Sequence, residues 1–76
     1  MIREHDRVVL VADVPEQDIK AGDVGTVVHV YSGGAAYEVE LMTLTGETVA
    51  VLTLSADQVR EVRAGEVAHA RPREAA

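Results

Sequence analysis

The stretch Gly22-Asp23-Val24-Gly25-Thr26-Val27-Val28-His29-Val30-Tyr31 constrains the fold of this chain more than any other. Gly22-Asp23 is a tight-turn pair, because glycine takes positive φ without steric cost and aspartate bonds its own backbone. The residues that follow are largely β-branched, and branched Cβ atoms favour extended backbone on a pleated surface. Gly25 interrupts them and leaves room for another part of the chain to pass close by. A turn feeding such a segment predicts a strand from about Gly25 to Tyr31.

With 76 residues the chain has room for one domain. A domain of this size buries only about 60 % of the surface its unfolded chain exposes, so packing must be dense or subunits must associate. Cys, Phe and Trp are absent, and Tyr31 and Tyr37 are the only aromatics. No disulfide or thiolate-bound zinc can staple the fold. The core is therefore expected to be aliphatic and dominated by valine.

Other segments fall into place around the second strand. Asp6 to Val11 reads as a first strand, with Val8 and Leu10 on one face and Val9 and Val11 on the other. A long loop follows, in which Pro15 suits the first position of a single helical turn and Val14 and Ile19 fold back onto the core. Ser32-Gly33-Gly34 is a turn. Tyr37-Glu38-Val39-Glu40-Leu41 alternates strictly, apolar inward and acidic outward, as a half-buried strand does. Thr45-Gly46-Glu47 turns the chain again and Thr48 to Thr53 returns antiparallel. Ser55 and Gln58 have capping-box spacing around one short helical turn, and Val59 to Val62 closes the order. The expectation is an all-β, small five-stranded SH3-like barrel over residues 1–63, with a short helical turn before the last strand. Residues 64–76, rich in Ala, Glu and Arg, read as a flexible or weakly helical C-terminal tail whose charges, Glu66, Arg71, Arg73 and Glu74, cancel.

The formal net charge is −6, and it is unevenly spread. Between Lys20 and Arg60 there is no Lys or Arg, while Asp23, Glu38, Glu40, Glu47 and Asp57 all lie there. Such a surface repels phosphate and anionic lipid and suits a basic patch on a protein. With no aromatic platform for bases either, nucleic-acid binding is disfavoured, and a KOW-like nucleic-acid or ribosome-associated module is kept as the alternative. No apolar run approaches the ~18 residues of a membrane span, and no signal-type apolar segment follows Met1 to Asp6. A cytoplasmic protein without membrane contact is the expectation.

No constellation for catalysis stands out. His5, His29 and His69 fall in three elements with no metal-ligand spacing. Ser32 sits in a glycine turn and Ser55 reads as a cap, so neither is a nucleophile beside a base. Gly22-Asp23-Val24-Gly25 lacks the lysine and following helix of a phosphate loop. The acids of the loop do not follow calcium-loop spacing. Glu38 and Glu40, about 7 Å apart on one strand face, read as a solvated stripe rather than an acid–base pair. No catalytic residue, cofactor or metal is expected, and the chain is expected not to be an enzyme.

The pieces Asp6 to Leu10, Gly22 to Val28, Tyr31, Ala36 to Glu40, Gly46-Glu47-Thr48, Leu54 and Val59-Arg60 resemble a family of small bacterial proteins known as domain of unknown function 4926. The resemblance covers roughly residues 5 to 62. It implies an SH3-like barrel, similar in outline to barrel domains of larger enzyme subunits such as nitrile hydratase, and it carries over no activity and no catalytic residue.

What remains is an interaction role. Val9, Val11, Val28, Val49 and Val51 lie opposite core-facing positions, and those left outside the core would form an apolar patch of the kind that marks an interface. The expected partner is a protein, either a second copy or a larger partner, with an immunity or antitoxin role as one version and an accessory enzyme subunit as another alternative. The surface expected to bind it joins Asp13, Glu16 and Asp18 of the long loop to Tyr31, Glu38 and Glu40.

Overall fold

A computed structural model describes residues 1–73. It contains five strands and two single turns of 3₁₀ helix. The strands are β1 (Arg7–Leu10), β2 (Val24–Tyr31), β3 (Ala36–Met42), β4 (Thr48–Ser55) and β5 (Val59–Glu61). They form one antiparallel sheet in the order β4-β3-β2-β1-β5. β2, β3 and β4 are a meander, and β5 returns to the far side of β1. The chain is all-β, with the strand order and connections of a small SH3-like barrel.

The sheet bends at defined places. Val28 is skipped in the pairing of β2 with β3, and Val49 in the pairing of β3 with β4, so each is a bulge. Bulges sharpen twist and curl a sheet over its own core. That core is Val8, Leu10, Ile19, Val27, Tyr37, Val39, Leu41, Leu54 and Val59. It is aliphatic apart from Tyr37, and among the described residues no charged or polar residue is buried.

Gly25 occupies the crowded middle. It pairs with Val8 on one side and Leu41 on the other. A Cβ there would lie 2.5 Å from Val39 Cγ1 and 3.0 Å from the Glu40 carbonyl oxygen. The close approach is made by β3. At Gly22, φ is +94°, and its amide donates to the Leu10 carbonyl at 2.7 Å. This turn sets β1 and β2 in register.

The long loop is folded back by its two apolar residues. Val14 and Ile19 form an isolated bridge with bonds of 2.8 and 3.2 Å, and Ile19 is buried. Between them Pro15–Gln17 makes a 3₁₀ turn with proline at its start. The second 3₁₀ turn, Ala56–Gln58, has the capping box: the Ser55 amide donates to Gln58 Oε1 at 2.8 Å.

Of the five valines opposite core positions, the fold uses two. Val9 is buried and Val49 packs against the core, whereas Val11, Val28 and Val51 stay exposed. Residues 64–73 contain neither helix nor strand. They are tied to the barrel by polar contacts, and Glu74 lies outside the described residues.

Candidate functional site

Alternation along β3 puts Glu38 and Glu40 on the outer face of the sheet, between β2 and β4. The register places His29 and Thr53 beside Glu38, and Thr26 and Val51 beside Glu40. Tyr31 Oη donates to Glu38 Oε1 at 3.1 Å, and Thr53 Oγ1 donates to the same oxygen at 2.6 Å. Thr48 Oγ1 donates to Glu40 Oε2 at 2.6 Å. The His29 ring meets Tyr31 edge-on with centroids 4.5 Å apart, and Glu4 lies 3.6 Å from its Nδ1. Exposed Val28, Met42 and Val51 border these groups. The face therefore carries two carboxylates held in place by hydroxyls, with apolar side chains around them.

Hydrogen bonding to the Glu38 carboxylate, aided by desolvation, raises the Tyr31 phenol above its ordinary value. The bond favours the protonated phenol, which is the donor. Spectrophotometric titration of tyrosine should therefore show one phenol above the ordinary value of about 10, and Glu38→Gln should bring it down. A phenol that titrates identically in both chains contradicts the contact.

The other half of the expected surface belongs to the loop between β1 and β2. Asp13 Oδ1 accepts the Ala21 amide at 2.8 Å and Asp23 Oδ2 accepts the Lys20 amide at 2.8 Å, so both carboxylates brace the turn. Glu16 is exposed on the 3₁₀ turn. Asp18 adopts the left-handed conformation that ends this turn. Its carbonyl accepts Arg71 Nη2 at 3.0 Å, while Arg71 Nε and Nη2 grip the two oxygens of Asp23. Arg73 Nη2 reaches the Gln17 carbonyl at 2.8 Å. The structure thus places Tyr31, Glu38 and Glu40 on the sheet, and Asp13, Glu16 and Asp18 on the loop.

Nothing in the sequence marks Arg71, Thr48 or Thr53 as partners of these carboxylates. Arg71 is separated from Asp23 by 48 positions, in a segment with no apolar periodicity to place it. A second clasp starts the same segment: Arg60 holds Glu66 through two bonds of 3.0 and 2.6 Å. That bond, with the Arg63 amide, takes the Glu66 carboxyl down to about 2.

Burial alone would raise the Asp23 carboxyl, but the bonds from Arg71 and the Lys20 amide outweigh it and the net shift is downward. A carboxyl lowered in the folded state adds stability above its unfolded value, and that increment fades as pH falls through the folded value. The clamp should thus contribute at neutral pH and fade below about pH 4. Urea midpoints of the native chain and of Arg71→Ala should differ at neutral pH and converge in acid. Curves that stay parallel down to the acid limb contradict the clamp.

Among the described residues no group of three His, Asp or Glu could hold a metal ion, and no helix is long and apolar enough to cross a membrane. Residues 4–61 match the family model described as domain of unknown function (DUF4926). The chain belongs to this family. No curated protein and no solved structure matched in the same comparisons. The matched DUF4926 span runs from the residue before His5 to the end of β5, so it takes in every strand and both 3₁₀ turns. It ends before the segment that carries Arg71.

Proposed function

We propose that this DUF4926 protein is a non-enzymatic, cytoplasmic interaction module whose outer β2–β3–β4 face receives a basic surface of a protein partner. The observation that carries the reading is the fixing of Glu38 by Tyr31 and Thr53, and of Glu40 by Thr48. A carboxylate already held in one rotamer loses little freedom on binding, where an unrestrained long side chain costs about 0.5–1.5 kcal/mol. Exposed Val28, Met42 and Val51 add apolar area beside the charge. The acidic surface of this chain also accepts a guanidinium within its own structure, since Arg71 sits on Asp23.

The reading is tested by using the native chain and Glu38→Gln/Glu40→Gln as baits for native extract. The native bait should retain a basic protein that leaves as salt rises, and the double variant should not. Retention that ignores the two carboxylates overturns the reading. Retention of RNA at low salt, released steeply as salt rises, decides for the nucleic-acid alternative.

A further inference from the structure

The two edges of the sheet are treated differently. β5 is three residues long, carries Arg60 and Glu61, and is tied to the segment after it by the Arg60–Glu66 clasp. β4 is eight residues long and contains no charge and no proline. Short, charged edges resist the addition of a strand, whereas long neutral ones invite it. β4 pairs with β3 on one side, and among the described residues no main-chain bond covers its other side.

The direction of its free groups follows from the ladder. The Ala56 amide donates to the Ala35 carbonyl at 3.1 Å, flanking the Ala36–Ser55 pair. That pair is therefore a non-hydrogen-bonded one, and Ser55 directs its main-chain groups away from β3. By alternation Thr53 and Val51 do the same. The Ser55 amide is taken by the Gln58 side chain and its carbonyl opens the 3₁₀ turn, so the free main-chain groups that face outward are those of Thr53 and Val51.

We propose that two copies of this chain join β4 to β4, antiparallel, with Thr53 on the two-fold axis. The charge favours this geometry over other ways of pairing chains of net charge −6. Stacking two outer faces would bring Glu38 and Glu40 of both copies together about 10 Å apart and strip their water. Edge pairing leaves these faces wet. Glu38 stands beside Thr53, so the two Glu38 residues are three strand spacings apart, about 14 Å. That exceeds the screening length of about 8 Å at physiological salt. The register follows from similar reasoning. With Thr53 on the axis, Thr53 faces Thr53, Val51 faces Ser55, and the Val49 bulge falls outside the pairing. Moving the axis to Leu52 sets Glu47 against Asp57, and moving it to Val51 brings the bulge inside. The dimer leaves Glu38 and Glu40 uncovered, so the acidic face stays open to a partner in it, although Thr53 on the axis also bonds Glu38.

Sedimentation of the full chain from micromolar to submillimolar concentration should show a monomer–dimer equilibrium. Glu38→Gln/Glu40→Gln should leave it intact, which separates it from the proposed function. Thr53→Glu lines carboxylates across the axis and should raise the dissociation constant about tenfold or more, with its circular dichroism unchanged. The chain has no cysteine, so single cysteines report register. Across a hydrogen-bonded pair the Cα atoms lie about 5.5 Å apart, within disulfide reach. Thr53→Cys should therefore form a linked dimer on mild oxidation. Val51→Cys, with about 14 Å between the two copies along the strands, should not. A chain that stays monomeric throughout, or a Val51→Cys variant that links as readily as Thr53→Cys, overturns the proposal.

Discussion

Gly25→Val is expected to abolish cooperative folding, and Gly25→Ala to cost about 1–3 kcal/mol through overpacking. The first atom added at this position meets Val39 Cγ1 at 2.5 Å, Glu40 O at 3.0 Å and Leu41 Cδ1 at 3.2 Å. None of these can yield freely. Val39 is fully buried, the Glu40 carbonyl belongs to the β3 main chain, and β2 is held between β1 and β3. Valine adds two further carbons to a place with no room for one. Urea unfolding followed by circular dichroism checks both variants. A Gly25→Val chain with the native midpoint would mean that β3 does not pass this close.

Leu10→Ala should be the most damaging truncation in the core, at about 2–5 kcal/mol for the lost transfer energy and the cavity left behind. A chain of this length has a total stability of about 4–11 kcal/mol, so the loss is a large share of the whole. Leu10 is the largest of the fully buried side chains. Its position is fixed from both sides, by pairing with Val59 and by main-chain bonds to Asp23 and Gly22 of 2.9 and 2.7 Å. No Phe or Trp stands nearby to collapse into the space. Leu44, 87 % exposed in the turn after β3, is the matched control. Leu44→Ala should move stability by no more than about 0.5 kcal/mol. Equal midpoints for the two variants would contradict the placement of the core.

These two positions also show what the sequence makes legible. Gly25 stands out because a glycine inside a β-branched segment needs a reason, and the reason proves to be the side chains and carbonyl of β3. Tyr37 to Leu41 alternates so regularly that both its buried face and the outward course of Glu38 and Glu40 follow from period two alone. Ser55 and Gln58 announce their helical turn by spacing. The bulges at Val28 and Val49 leave no such mark, because valine is at home on either face of a strand. They decide which threonine meets which carboxylate, and that is why Thr53 and Thr48 read as ordinary strand residues. Arg71 is harder still. Its bond to Asp23 depends on the path of a segment without regular structure, and no local pattern encodes that path.

The acidic loop and the acidic sheet face look alike in composition but differ in their present occupancy. Asp13 and Asp23 receive main-chain amides, and Asp23 also holds Arg71. Glu38 and Glu40 receive only neutral hydroxyls, so their charge is oriented without being neutralised. An oriented, uncompensated pair of carboxylates beside apolar side chains is a surface on which a cation from a partner gains most.

The most direct measurement is photo-cross-linking in native cells from a reactive residue placed at Val28, on the bulge beside this face, with the same residue at Glu61 on β5 as reference. A discrete cross-linked protein is expected from position 28, lost when Glu38 and Glu40 are changed to glutamine, and none from position 61. Absence of a product from position 28, or the same products from both positions, would contradict the proposed function.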